Sequence, residues 1–444
     1  MAAIRSGQLG LKTAIVEHSE LGGVCLNWGC IPSKSLIHNA EVLSIFKNAA
    51  DYGINIDNLT FDFGKAIDRS RDVVGRLTSG IGFLLKKNKV EHIRGTGVLE
   101  ARDLIRVEEA GRTISAKNVI VATGATFLEI PSLPIDGEIV ITSREAIIRK
   151  DLPKRAVIVG GGATGVEFAY IYNNYGVDVT IVELQSRLVP LEDEEISTEL
   201  EKSLSRQGVK VMTGSKVESV QIHGKEAELI VSDEADEAKI ACDIVLVAVG
   251  ARGNIDRIGL EEIGVSTNRN FIEIDDYMMT NVDGVYAIGD VTGKMLLAHV
   301  ASAQGVTAVE TIAGLDPPKL NYDLMPRATY CHPQVASFGL TESQAKKAGH
   351  EVRIGKFPLS ASGKAMASNE TEGMIKLVLD AEIGDILGVH MIGSNVTELL
   401  GELSLARMLE STDKELGWLV HPHPTISEIV KEAALASVGE AIHA

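Results

Sequence analysis

The chain has 444 residues, 45% of them apolar and 23% charged, with a net charge of −18 at pH 7. That length exceeds what one hydrophobic core organises, so several domains are expected, and the acidic balance argues against a binder of nucleic acid or anionic membranes. Four cysteines in so long a chain make no disulfide scaffold and suit a reducing compartment, no apolar run approaches ~20 residues, and the opening MAAIRSGQLG lacks the apolar stretch of a secretory leader.

Residues 2–9 read as the end of a helix stopped by Gly10, and residues 12–17, KTAIVE, as a buried parallel strand ending in the acid Glu17. This is the second half of a βαβ dinucleotide unit, whose first strand and glycine turn are expected upstream and are absent from the sequence. Next comes LGGVCLNWGCIPSK, with Cys25 and Cys30 separated by four residues. Pro32 is a helix-start signal, so Cys30 is expected beside a helix N-terminus, whose partial positive charge favours a thiolate. Spacing alone leaves dithiol–disulfide exchange, half a zinc site and two packed core thiols open. A zinc site would need a second ligand pair, and Cys242 and Cys331 stand alone. Helices are expected over residues 32–50 and 61–87. Strands are expected over 93–99, 104–107 and 113–115, then a buried strand over 119–122 with Thr123-Gly124-Ala125 as its turn.

A second dinucleotide unit starts near residue 128. An apolar strand, 156–159, runs into Gly160-Gly161-Gly162-Ala163-Thr164-Gly165 and a helix over 166–175, which places G-x-G-x-x-G in strand–turn–helix context. The strand 177–182 ends at Glu183, whose carboxylate would accept ribose hydroxyls and repel a 2′-phosphate, so the unit reads as an NAD site. The stretch TNVDGVYAIGD then delivers Asp290 to a strand end, and a helix follows from Leu297-Ala298-His299. From residue 326 the pattern becomes antiparallel α+β, with strands over 335–338, 351–357, 374–379 and 386–391 and helices over 396–410, 414–419 and 426–436. In HPHPTISE, Thr425 and Glu428 form T-x-x-E, the pattern of a capping box opening the last helix. That does not account for His421 and His423, each followed by proline; a histidine with a carboxylate neighbour can serve as a base near neutral pH. Pro424 is a candidate cis proline.

The words GGVCLNWGCIPSK, TNVDGVYAIGD and HxHPTxxE together resemble the flavin-dependent pyridine nucleotide–disulfide oxidoreductases, and the resemblance runs over nearly the whole chain. It implies an α/β fold with two Rossmann-like dinucleotide-binding domains, for FAD and NAD, and a C-terminal α+β dimerisation domain. The implied division is 1–127 for FAD, 128–257 for NAD, 258–325 for a central domain completing the FAD site, and 326–444 for the interface of a homodimer. The implied site consists of Cys25 as the exchanging thiol, Cys30 facing the flavin, and a His423–Glu428 catalytic dyad. For FAD the matching positions are Glu17, Lys34 (paired with Glu167), Gly97, Thr123, Gly124, Asp290 and Ala298. For NAD they are Gly160, Gly161, Gly162, Ala163, Thr164, Gly165, Glu183, Val217 and Gly250.

Within the family the words are most similar to the branch that oxidises protein-bound dihydrolipoamide with NAD. That implies a lipoyl-bearing protein domain as substrate and the acyltransferase core of a 2-oxo acid dehydrogenase complex, or a glycine-cleavage system, as partner. No metal, nucleic-acid or membrane partner is implied, and the expected location is the cytoplasm of a bacterium, or otherwise a mitochondrial matrix. Glutathione and mercuric reductases are the alternatives inside the family. Glu183 counts against the NADP users, and the lack of a C-terminal cysteine pair counts against the mercuric type. A flavin-less, NAD-binding scaffold subunit is the alternative outside it, prompted by the absent first glycine turn.

Overall fold

The computed structural model describes residues 1–234 and 236–443, which fall into two compact units. One unit contains Met1–Ser35, Ile67–Leu128 and Gly250–Tyr322; the other contains Leu36–Ala66, Glu129–Val249 and the chain from Asp323 onward.

In the first unit, two parallel strand pairs carry the dinucleotide-type topology: Ala14–Glu17 beside Glu91–Arg94, and Val119–Val121 beside Val285–Ala287. Parallel strands need a long crossover, and here it includes the redox segment. Three helices follow one another there: α1 (Gly23–Asn27), α2 (Cys30–Lys47) and α3 (Phe63–Lys87). The helix expected over 32–50 therefore begins at Cys30 and stops at Lys47. Its first turn closes when Ser33 N–H donates to Gly29 O (3.0 Å). Pro32 sits comfortably one turn in, because the amide it lacks would have had no intrahelical partner.

The single strand expected over 93–99 is two strands in different sheets, Glu91–Arg94 and Gly97–Ala101. Gly95, at φ +145°, breaks the run, and Thr96 N–H donates to the Glu109 carboxylate (2.5 Å). A second small sheet, Gly97–Ala101, Leu104–Val107 and Arg112–Ser115, is antiparallel. Leu99, Val121, Leu260, Val285 and Val291 meet in the core of this unit.

The second unit holds a five-stranded all-parallel sheet in the order Lys210–Met212, Asp178–Val182, Arg155–Val159, Ile244–Val247, Val140–Ile141. The helix Ala163–Asn174 follows the central strand. A three-stranded antiparallel sheet, Lys216–His223, Glu226–Ser232 and Glu237–Cys242, fills a stretch for which periodicity gave no assignment.

The C-terminal part is a five-stranded antiparallel sheet ordered Arg327–Thr329, Gln334–Gly339, Ile386–Gly393, Met374–Asp380, Val352–Pro358. The helices Val396–Met408, Asp413–Trp418 and Glu428–Ala436 accompany it. Phe338, Phe357, Leu377, Leu403 and Ile429 are buried in its core, each large side chain contributing roughly 1.5–3 kcal/mol by leaving water. The last helix starts at Glu428, with Ser427 as its N-cap, so the expected capping box is only half made. The Glu428 carboxylate accepts the Thr425 N–H (2.9 Å), but the Thr425 hydroxyl turns back to Pro422 O (2.8 Å). Among the described residues no helix is long and apolar enough to cross a membrane.

Candidate active site

Cys25 lies in α1 and Cys30 is the first residue of α2, and the two form a disulfide with Cα atoms 4.6 Å apart. Both are half-buried, so exposure alone does not rank them. Cys242 and Cys331 are buried in the second unit outside any disulfide, the Cys331 thiol donating to Pro333 O (3.0 Å), and no cluster of metal-ligating side chains occurs among the described residues.

The segment between the cysteines is fastened by groups that the sequence did not single out. Asn27, 3% exposed, donates from Nδ2 to the carbonyls of Leu21 and Gly23 (3.0 Å each), and its Oδ1 accepts from the Thr78 hydroxyl (3.2 Å). Arg71 donates from Nη1 to Asn27 O (2.6 Å), and its guanidinium lies 4.9 Å from the centre of the Trp28 ring. Burial pulls the Arg71 guanidinium below its usual range while the Glu20 carboxylate pushes it back. Asn27 could have been noticed inside the cysteine word. Arg71 and Thr78 could not, because they lie on α3, more than forty residues along the chain.

The C-terminal histidines differ from one another. His423, with its side chain 78% exposed, donates from Nδ1 to Glu428 Oε1 (2.9 Å). Burial pushes the Glu428 carboxyl up, but the Thr425 amide and the His423 ring outweigh it and hold it below the usual range. His421 has its side chain buried to 5% and engages Glu402 Oε1 through Nε2 (2.8 Å). The His423–Pro424 peptide bond is cis.

The glycine turn 160–165 has the geometry of a nucleotide cradle. Gly160 sits at φ +111°, and a Cβ at Gly165 would collide with the Gly160 carbonyl, so turn and helix close-pack. A Cβ on Gly162 would meet only open space, and the helix that starts at Ala163 has no side-chain cap. Ala163, Thr164 and Gly165 thus present uncapped amides, suited to a pyrophosphate. Glu183 is 8% exposed at the end of its strand, and its carboxylate accepts from Gly161 N–H (2.5 Å) and Gln185 N–H (2.7 Å). Val217 is buried in the neighbouring antiparallel sheet, where its carbonyl accepts from Ser132. Gly250, at φ +121°, belongs to the first unit, where its carbonyl accepts from Leu128 N–H (3.1 Å).

Most of the positions expected to meet FAD also lie in the first unit. Glu17 ends its parallel strand and accepts from Ser19 N–H (2.8 Å), and Gly97 opens the small antiparallel sheet against Val107. Thr123 donates to Asn254 O (2.7 Å), beside Gly124 at φ +72°. Asp290 is half-buried in a short 3₁₀ turn, and its carboxylate meets no donor among the described residues, so burial raises it above the ordinary carboxylate range. Such a group suits a polyol hydroxyl. Ala298 opens a 15-residue helix with no side-chain cap, and Lys34 lies half-buried one turn beyond Cys30. Glu167, in the second unit, is buried and accepts from Tyr330 N–H (3.1 Å).

A redox disulfide at a helix start, a strand–glycine–helix nucleotide turn and a histidine–carboxylate dyad define the pyridine nucleotide–disulphide oxidoreductases. The chain belongs to that family: residues 1–305 match its main domain and residues 325–434 its dimerisation domain. Members use FAD and NAD; the uncapped 160–165 turn with Glu183 suits a dinucleotide, and the half-buried Asp290 carboxylate and the uncapped helix start at Ala298 suit the polar groups of a flavin nucleotide. The chain is similar to the dihydrolipoyl dehydrogenase of Mycobacterium leprae, 48% identical over all of this chain and 96% of the relative. It is likewise similar to that of Chlorobaculum tepidum, 47% identical over 98% and 93%. Among solved structures, LpdA from Mycobacterium tuberculosis shares the fold, with a TM-score of 0.89 at 24% identity, covering 98% of this chain and 96% of that one. The HOCl-induced flavoprotein disulfide reductase RclA from Escherichia coli matches with a TM-score of 0.86 at 26% identity, over the same shares of the two chains.

Proposed function

We propose that this chain oxidises protein-bound dihydrolipoamide to lipoamide and delivers the electron pair to NAD. The observation that carries this reading is the Cys25–Cys30 disulfide closed onto the first residue of α2, in a chain nearly half identical to dihydrolipoyl dehydrogenases along its whole length. His423, polarised by Glu428, takes a proton from one substrate thiol. The resulting thiolate attacks Cys25, forming a mixed disulfide and releasing the Cys30 thiolate, which the start of α2 stabilises. The second substrate thiol then attacks the substrate sulfur of the mixed disulfide, its proton passing to the departing Cys25 thiolate. This leaves the substrate as a cyclic disulfide, Cys25 as a thiol, Cys30 as a thiolate and the first proton on His423. One substrate dithiol is oxidised and one protein disulfide reduced, so electrons and protons balance.

FAD, held by Glu17, Lys34, Gly97, Thr123, Gly124, Asp290 and Ala298, would accept the electron pair from the protein dithiol and supply hydride to NAD. NAD would rest on the 160–165 turn with Glu183, Val217 and Gly250. The buried Glu183 carboxylate at the ribose position disfavours a 2′-phosphate.

Residues 1–127 and 258–325 are read as the FAD-binding and central domains, 128–257 as the NAD-binding domain, and 326–444 as the dimerisation domain. The high exposure of His423 supports a site completed by a second copy. Trp418 and Val420, close to it in sequence, are 75% and 85% exposed and would be covered in the same step. The physiological substrate is then a lipoyl-bearing domain, on the acyltransferase core of a 2-oxo acid dehydrogenase complex. A bacterial cytoplasm is the compartment consistent with the bacterial relatives.

The test is NAD reduction by dihydrolipoamide with purified protein. The parent should turn over, whereas Cys25→Ser and Cys30→Ser should each fall at least about 10³-fold, as expected for loss of a residue that acts as part of a unit. Turnover that survives in both variants would overturn the reading.

A further inference from the structure

We propose that Arg71 is a positioning residue that, with Thr78 and the Asn27 side chain, holds Cys25 and Cys30 at bonding separation whether or not the disulfide is closed. The inference rests on reading that pair as the redox centre.

Only four residues separate the cysteines, and the two in the middle are tied to α3. Asn27 satisfies four partners at once. Its amide nitrogen bridges the carbonyls of Leu21 and Gly23, its side-chain oxygen takes the Thr78 hydroxyl, and its backbone carbonyl takes Arg71 Nη1. Trp28 carries the Arg71 guanidinium on its face. A planar fork that donates along one direction and stacks along another is a task for arginine, which lysine fulfils only in part. One residue pair earlier on α3, Arg69 Nη1 donates to the Ser35 hydroxyl (2.9 Å), so the same helix also braces the first turns of α2. Helix α3 is thus the fixture to which both sides of the disulfide are attached.

The consequence appears on reduction. Breaking the S–S bond removes the covalent tie, and a free four-residue link would gain conformational entropy and lower the effective concentration of one thiol at the other. The Asn27–Arg71–Thr78 clamp withholds that freedom, so the dithiol stays poised to close again. Loosening the clamp should make the disulfide easier to reduce. If Arg71 acted instead only as a cation stabilising thiolates, its loss would make the disulfide harder to reduce. The two roles have opposite signs.

The experiment equilibrates the full chain in dithiothreitol buffers of graded reduced-to-oxidised ratio, quenches with an alkylating agent, and counts modified Cys25 and Cys30 by mass. This readout requires no lipoamide turnover. Arg71→Ala should move the equilibrium toward the dithiol by at least about fivefold, or ~20 mV for a two-electron couple. Thr78→Val, which removes only a hydroxyl, should move it about twofold the same way, and Arg71→Lys should fall between Arg71→Ala and the parent. Arg106→Ala, at an exposed pair of surface bridges in the same unit, should leave it unchanged. If Arg71→Ala does not fold, Thr78→Val and Trp28→Leu carry the test. A folded Arg71→Ala within twofold of the parent, or shifted toward the disulfide, overturns the proposal while the redox reading stands. A parent whose Cys25–Cys30 pair does not interconvert with dithiothreitol overturns both.

Discussion

Two constellations of titratable side chains in the second unit contrast sharply. Lys376 is 2% exposed and surrounded by three carboxylates: Asp193 (3.0 Å), Glu195 (2.7 Å) and Glu342 (2.8 Å). His423 is 78% exposed and has one carboxylate, Glu428. In the first, burial disfavours the ammonium but the carboxylates outweigh it and raise its pKa, and every group is occupied by another. In the second, Nδ1 is engaged by Glu428 and the rest of the ring is largely exposed. Buried charge with saturated partners holds the fold together; an exposed imidazole with a single orienting partner is equipped for chemistry. The number of carboxylates says little about which is which, and burial says most of it.

The largest effect expected from this contrast is on activity. His423→Gln should lower dihydrolipoamide turnover about 10²- to 10⁴-fold, the range for loss of a general base, while stability stays within about 0.5 kcal/mol, as for most surface changes. Steady-state rates and a denaturant titration on one preparation check both halves. A stability loss matching that of a core substitution would break the distinction.

Lys376→Met should do the reverse. Removing the cation leaves Asp193 and its neighbours uncompensated, costing about 3–5 kcal/mol, with kcat of the folded fraction close to the parent value. A kcat loss without a stability loss would show that the buried cluster belongs to the catalytic machinery.

A smaller, graded effect comes from pH. Hydrogen bonds from Lys346 and Lys376 hold the Glu342 carboxyl at about 2, below its ordinary 4.5. A depressed carboxyl pKa contributes stability that is fully present above the ordinary value and is lost as pH falls toward the folded one. The thermal midpoint should therefore decline from about pH 4.5 downward, and Glu342→Gln should flatten that decline. An equally steep acid limb in Glu342→Gln would remove this carboxylate from the account.

How much of this could be read beforehand depended on how local the cause was. The strand–glycine–helix turn at Gly160–Gly165 and the strand that ends just before Glu183 were legible because the cause of each sits in consecutive residues, whereas Asp290 lies in a 3₁₀ turn just past its strand. Also legible was the pairing of His423 with Glu428, five positions apart. Gly95 was missed because apolar residues on both sides imitate one strand. The half-made capping box at Thr425 was missed because T-x-x-E does not reveal that the hydroxyl prefers Pro422 O. Arg71, Thr78 and the three carboxylates around Lys376 were invisible for another reason: their partners are set by the tertiary fold, across separations of 34 to 183 residues.

The central claim is that Cys25 and His423 form one site, with the exposed histidine completed by a second copy. Mixed dimers of a Cys25→Ser chain and a His423→Gln chain, each inactive alone, test it most directly. If the site is built across the interface, one site of every mixed dimer carries both lesions and the other carries neither, so activity should return to about half that of the parent dimer. Verified mixed dimers that remain inactive would mean that Cys25 and His423 act within one chain, and would contradict the account.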